Sequence, residues 1–381
     1  MNRNNPHTVL YRWMTFLRIL LGLVFIFSSV AKGIDPVGTS YRVEDYLLVY
    51  RWMPLVPYAM EIAFLIIFSE FLIGIAFLFN TFIRTAAVAM LTMLVFFLVV
   101  TFFDALYNMV PDCGCFGDAL KLTNWQTFYK NIVLIVLNLL FLWKSRRWMN
   151  NRTKPVFQIG LLTLFGGLFL GFMFYNLDHL PVIDFRNWKV GRNMCVDTMQ
   201  KARTYVTFEN IKTGEKKEFL FPDYPWKDSL WRADWKFISK RTVAPSVVKK
   251  YNLVIEDSLG NDRTRAIIEY PGFQFLLISF NLHQANASGL KKAAVLWKFL
   301  KKRGISMVML TATDEKTTRR IENIYGMAVP AYLADETDLK SVIRSNPGLL
   351  LLDHGVILQK WHYHDFPDTL QVKKFLISPT Y

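Results

Sequence analysis

Cysteine is scarce: the chain has 381 residues and only three cysteines. That is too few for a disulfide scaffold. Internal repeats, low-complexity tracts and massed basic runs are also missing. The net charge of +15 is spread along the chain. This argues against nucleic-acid binding and fits a protein lying beside anionic lipid. Residues 1–176 carry 14 Lys/Arg and 8 Asp/Glu, and residues 177–381 carry 31 and 22. The first part is therefore poor in charge of either sign, and the second reads like an ordinary soluble domain.

What fills the first part is apolar sequence. A helix crosses the hydrocarbon core with about 20 mostly apolar residues. Five stretches qualify, at about 14–32, 57–79, 85–105, 127–143 and 156–176. The first begins TFLRILLGLVFIFSSVA. Its small-residue cleavage site is poor and four more runs follow, so it reads as a retained span, not a cleaved signal. None of the five alternates with period two, as a barrel strand would.

Basic residues in short loops give an orientation. Arg3, Arg12 and Arg18 lie at the start, Arg84 follows the second span, and Lys144, Arg146, Arg147, Arg152 and Lys154 follow the fourth. With five spans all three sets fall on one side, expected to be the cytoplasm. Loops 33–56 and 106–126 and everything after the fifth span are then expected outside, in a compartment that permits disulfides.

Ionisable groups at membrane depth are costly and often functional. Glu70 sits mid-span in IIFSEFLIG, and Glu61 lies near the outer end of the same span. Nine residues apart, they are about 180° apart on a helical wheel. Glu70 reads either as an interhelical hydrogen-bonding group or as a proton- or quinone-contacting one. Lys32 and Asp35, in FSSVAKGIDP, and Asp104 are expected at the interface with Glu61, pairing among themselves or reaching water. A Gly-Ile-Asp-Pro turn then leads to a short interfacial helix anchored by Tyr41, Tyr46 and Tyr50.

Residues 111–118 read PDCGCFGD. Cys113 and Cys115 are close enough to bond, because a disulfide needs Cα atoms about 4.4–6.8 Å apart. The ring would be small and strained, with Gly114 supplying unusual backbone angles. So short a loop gains almost no stability from closure, which argues against a purely structural bridge. Strained, exposed disulfides have higher potentials and exchange readily. Inert thiols or a soft-metal site remain as alternatives, although two ligands are an incomplete zinc set. A cation such as Lys121 would favour a thiolate. Cys195, near Arg192, reads as a resolving thiol for that pair, a partner bond or a buried residue.

From about residue 200 the pattern becomes mixed α/β. TYVTFEN and KKEFLFP read as a strand pair, and VVKKYNLVIEDSLGNDRTRAIIEY as a hairpin. FQFLLISFNL and ISMVMLTA read as buried strands, GLKKAAVLWKFLKKRG and TTRRIENIYG as helices. GLLLLDHGVILQKWHY reads as two strands joined at Asp353-His354-Gly355, before a final helix near 367–376. His354, His362 and His364 read as exposed residues, not metal ligands.

Two family resemblances follow from these residues. FSSVAKGIDPVGTSYRVEDYL, the glutamate-bearing second span, CGCFGD and NWQTFYKNIVLIVLN resemble the DoxX-like membrane proteins, closest to the MauE (methylamine utilisation protein) branch, over about residues 10–145. The resemblance implies a four-helix core over 1–150, extended here by a fifth span in 151–180. It also implies a bacterial inner membrane, a role in maturing periplasmic disulfide proteins, and Cys113/Cys115 as the redox pair. In DoxX relatives the chemistry is quinone-linked, which implies quinone as the cofactor. Glu70, Lys32 and Asp35 become the proton- or quinone-linked candidates. Residues 181–381, with NPGLLLLDHGVILQKWH, resemble the thioredoxin-like fold of membrane-tethered thiol reductases. The match departs at the site: FNLHQANASG, with Asn281, His283 and Asn286, stands where Cys-x-x-Cys is expected. The family's active-site proline corresponds to Pro330 or Pro347. The expected function is thiol–disulfide exchange with an envelope client protein, in either electron direction. A scaffold or assembly subunit is the non-enzymatic alternative. Few intramembrane charges argue against a small-molecule transporter.

Overall fold

The computed structural model describes residues 6–108, 110, 114–145, 154–195, 203–225, 228–243 and 253–377. Six helices come first. They are α1 (Pro6–Ile34), α2 (Pro36–Val49), α3 (Ala59–Phe79), α4 (Ile83–Tyr107), α5 (Asn124–Ser145) and α6 (Pro155–Asp178). All but α2 contribute a stretch long and apolar enough to cross a membrane. The protein is therefore a helical membrane protein whose outer side chains meet lipid. The short α2 stands where the sequence placed a short helix after the Gly-Ile-Asp-Pro turn. Asp35 caps it by accepting from the Gly38 amide at 2.8 Å, and Pro36 occupies its first turn, as helix starts favour.

Lipid offers no hydrophobic drive between helices, so close contact depends on small residues and hydrogen bonds. Gly22 of α1 and Gly74 of α3 meet backbone to backbone, and a Cβ on Gly22 would stand 3.0 Å from the Gly74 carbonyl. Arg18 donates to the Phe77 and Leu78 carbonyls at the end of α3. Asn138 of α5 donates to the Ala87 carbonyl of α4 at 2.9 Å. Phe71 and Phe169 stack with centroids 3.9 Å apart, fixing α6 against α3.

The rest is mixed α/β. The strands β1 (Arg203–Asn210), β2 (Lys216–Leu220) and β3 (Trp235–Val243), with α7 (Ser229–Asp234), form an antiparallel sheet of order β2-β1-β3. The β1–β2 pair follows the sequence, while β3 escaped it because its side chains are mostly polar or exposed. A second sheet contains β4 (Ile255–Glu256), β5 (Phe273–Ile278), β6 (Ser306–Thr311), β7 (Ala331–Ala334), β8 (Gly348–Asp353) and β9 (Val356–His362). Its helices are α8 (Thr264–Ile268), α9 (Ala287–Lys301), α10 (Glu315–Tyr325), α11 (Glu336–Val342) and α12 (Thr369–Ile377). The order is β4-β7-β6-β5-β8-β9, with β5, β6 and β7 parallel and β8 and β9 antiparallel.

Period-two alternation gives this sheet two apolar faces. Leu276, Ile278, Leu350 and Leu352 meet α8 and α11 on one side; Phe275, Leu277, Leu349 and Leu351 meet α9 and α12 on the other. Of the hairpin expected over 247–270, residues 247–252 lie outside the described residues, and the rest forms only a short one, with Glu256 bridging Asp262 antiparallel. Only Ile255 and Glu256 are strand, and Asp257 accepts from the Leu259 and Asn261 amides to make a tight turn. Arg-Ala-Ile-Ile then closes a helical turn whose isoleucines are buried.

Candidate functional site

The site lies where one end of the helical bundle, the cysteine loop and the α/β region converge. Cys113 lies outside the described residues. Cys115 is half-buried. Its loop is held by close contacts on both sides. Gly114 has φ +60° and lies so close to Arg42 of α2 that a Cβ would stand 2.2 Å from the arginine Cδ. Gly117, at φ +56°, presses on the Ala31 carbonyl of α1, where a Cβ would stand at 2.9 Å. Glycine is the residue that permits both the left-handed backbone and these approaches. Phe116 is clasped between Phe27, centroids 5.4 Å apart, and the Lys130 ammonium, 4.7 Å from the ring centre.

Beneath the loop sits a buried ion pair. Lys32 Nζ stands 2.5 and 2.6 Å from the two oxygens of Glu70. Their residues are 5% and 3% exposed. The Gly22–Gly74 crossing brings α1 and α3 close enough for this pairing. The Ser28 hydroxyl lies 3.1 Å from Glu70 Oε2 and 2.8 Å from the Cys115 carbonyl. One hydroxyl thus bridges the ion pair and the cysteine backbone. Lys32 is not the interfacial group expected from the sequence, because Glu70 draws it into the bundle.

Asp35, Asp104 and Glu61 do not pair with one another either. Asp104 Oδ2 accepts from Tyr46 Oη at 2.6 Å, and Glu61 is exposed. Asp35 accepts from Arg344 Nε at 2.8 Å, a partner 309 residues along the chain. Arg344 also lies 3.9 Å from Asp118 in the cysteine loop, and Asp118 pairs with Arg42 at 2.6 Å. The α/β region and the cysteine loop therefore share one end of the bundle. Burial alone would raise the Asp35 carboxyl, but the Arg344 and Arg186 guanidinium groups hold it below the usual range. Burial pushes Tyr41, beneath Arg344 and Lys340, up to about 12.

The α/β region is fixed behind Arg344. Lys360 Nζ donates to Asp184 at 2.7 Å and to the Trp188 and Val342 carbonyls at 2.6 and 2.8 Å. This pins the linker from α6 to the end of α11. Burial pushes the Lys360 ammonium down to about 7. The loop after β5 lies at the same end of the sheet. Ser279 donates to Asn346 Oδ1, and Asn346 Nδ2 donates to the Asn281 carbonyl, both at 2.7 Å. Asn281 and Asn286 cap the turns that follow, and Pro347 packs on Gly289.

Cys195 is at the other end. Its Sγ lies 3.1 Å from the His354 carbonyl, beyond the β8–β9 turn. Strand β8, six residues long, separates that turn from the membrane-facing end by about 17 Å. Arg192 is engaged with Asn187 at 3.1 Å. His362 is buried, contrary to expectation, while His354 and His364 are exposed. Burial, then the neighbouring His364, His179 and Lys292, pushes His362 down to about 4.

A cavity of about 390 Å³ opens between α2, α3 and α4 beside the loop. Cys115, Lys32, Arg42 and Tyr46 supply its polar wall, and aromatic and aliphatic side chains the rest. Its size and mostly apolar lining suit a small organic ligand.

Arg42, Ser28 and Arg344 were not singled out from the sequence, and Tyr46 was read only as an interfacial anchor. Ser28 carried a signal, standing one helical turn before Lys32 on the same face. Arg344 carried none, because its partner lies in the other half of the chain.

These features define a helical membrane protein with a buried ion pair under a cysteine loop. Residues 10–144 match the family model described as Methylamine utilisation protein MauE. The membrane segment, including the cysteine loop but not α6 or the α/β region, is thus similar to that family. No curated protein and no solved structure matches the chain.

Proposed function

We propose that the protein carries out thiol–disulfide exchange on envelope proteins at the outer face of a bacterial inner membrane, with Cys113 and Cys115 as the redox pair and quinone as the electron acceptor. The observation that carries this reading is the position of the Cys115 loop. It lies above the Lys32–Glu70 pair, beside an apolar cavity and beneath Arg344 of the α/β region.

A client thiolate attacks the Cys113–Cys115 disulfide and forms a mixed disulfide. A second client thiol displaces it, so the client gains a disulfide and the loop is left as two thiols. Their return to the disulfide releases two electrons and two protons. A bound quinone supplies the acceptor for both, becoming quinol. The strain expected of so small a ring favours this oxidising direction. Cations stabilise a thiolate, and Arg42 and Lys32 are better placed for that than Lys121, whose side chain is exposed. The buried Lys32–Glu70 pair, with Ser28, can hold and pass a proton under the loop. Asp35 serves by docking the α/β region.

The strand order β9-β8-β5-β6, with β5 and β6 parallel, supports a thioredoxin-like reading of the α/β region. So does Pro347, which lies against the loop after β5. In that reading Asn281, His283 and Asn286 occupy the place of the usual thiols, at the end that faces the membrane. The region then binds the client and leaves the chemistry to the loop below.

The test uses full-length protein, reduced and mixed with decylubiquinone in detergent. One quinol should form for each disulfide closed, and Cys113→Ser should abolish both. Quinol formation that persists in Cys113→Ser would refute the assignment.

A further inference from the structure

The cavity beside Cys115 has a second polar wall, formed by groups that the exchange chemistry above leaves unused. Tyr46 of α2 and Tyr50, just past the end of that helix, both line it, their rings stacked with centroids 6.4 Å apart. Tyr46 Oη donates to Asp104 Oδ2 at 2.6 Å. Asp104 is fully buried, and its Oδ1 has no hydrogen-bond partner among the described residues. Tyr50 Oη is likewise buried and unpartnered among them. Asn124 donates to the Asp104 carbonyl at 3.3 Å, fixing α5 against this turn of α4. Buried polar atoms are seldom left unsatisfied without a reason. Both atoms are shut off behind the cavity wall, so Tyr46, which does line the cavity, connects that space to a buried carboxylate.

Resting on the quinone-linked reading, we infer that Tyr46, positioned and recharged by Asp104, donates a proton to one carbonyl oxygen of a quinone held here. Reduction to quinol takes two electrons and two protons. Both electrons come from closing the Cys113–Cys115 bond. One proton passes through the Lys32–Glu70 side, which shares the cavity with Cys115. The other passes through Tyr46, whose phenol is replenished from Asp104. The two protons shed by the thiols restore both donors, so thiols plus quinone give disulfide plus quinol with nothing left over. In this scheme Tyr46 meets the ligand, and Asp104 is a positioning residue acting through it.

The probe is decylubiquinone added to full-length protein in detergent. Binding is read by quenching of Trp52, which lines the cavity, with Trp52→Phe as the blank. Tyr46→Phe should bind within about tenfold of wild type, the worth of one neutral hydrogen bond. It should form quinol about a hundredfold more slowly, the scale of lost acid catalysis. Asp104→Asn should be slowed similarly. In the infrared difference spectrum on adding decylubiquinone, wild type should show a shifted carboxylic-acid band that Asp104→Asn lacks. Quinol formation at wild-type rate in Tyr46→Phe overturns the inference while leaving the exchange reading intact. So does loss of binding in proportion to rate, since the phenol would then only hold the ligand. A wild type that binds the probe but forms no quinol strikes the exchange reading itself.

Discussion

Arg344 and Asp35, 309 residues apart, form a buried ion pair with Arg344 Nε 2.8 Å from the carboxylate. It ties α11 of the α/β region to the cap of α2. Removing one partner leaves an uncompensated buried charge, at a cost of about 3–5 kcal/mol. Arg344→Leu should therefore undock the region, seen as faster hydrogen exchange in α2 and α11. Exchanging the charges, with Asp35→Arg and Arg344→Asp together, should recover part of the protection. Unchanged exchange in the single variant would show that the contact does not hold the region.

The Lys32–Glu70 pair should behave asymmetrically. Glu70→Gln alone strands a buried ammonium and should cost about 3–5 kcal/mol. Lys32→Met with Glu70→Met should recover most of the stability, because a well-packed apolar pair replaces an ionic one at little cost. If the pair handles protons, disulfide closure in the double variant stays slow even though the fold returns. Thermal melts and quinol formation on the same samples separate the two.

Gly114 tests the loop. Its φ is +60°, where a side chain costs about 1–2 kcal/mol. A Cβ would also displace Arg42. Gly114→Ala should slow alkylation of Cys115, because the arginine that favours a thiolate moves away. Alkylation at the wild-type rate would remove Arg42 from the account.

His362 gives a pH signature. Folding lowers it from 6.5 to about 4. Between these values the unfolded chain binds a proton that the native one does not, so stability present above pH 6.5 is lost as pH falls toward 4. Hydrogen exchange of β9 amides should accelerate over that interval and level off below it. His362→Gln should flatten the dependence, and a slope that survives the substitution would assign it elsewhere.

Much of this was legible in the sequence. Apolar runs marked all five spans, and the Asp-Pro turn marked α2. Buried strands such as FQFLLI announced themselves by composition. Three misreadings share a cause, namely that partners distant in sequence decide where a polar side chain goes. Lys32 read as interfacial until Glu70 was seen within reach across α1 and α3. Asp35 read likewise, while its partner lay in another region. His362 read as exposed because its burial depends on the packing of β9 and the turn after it. The hairpin expected over 247–270 is short for a local reason: Asp257 closes a turn bridged by Glu256 and Asp262, and the chain then enters a helix.

The central claim is that Cys113 and Cys115 cycle between dithiol and disulfide with a membrane quinone. The direct measurement traps thiols in intact cells with a mass-tagging alkylator, first with quinone present and then after its depletion. The loop should be mostly oxidised in the first state and should accumulate as dithiol in the second. Cys113 and Cys115 reduced in both states, with no change in client disulfides for Cys113→Ser, would contradict it.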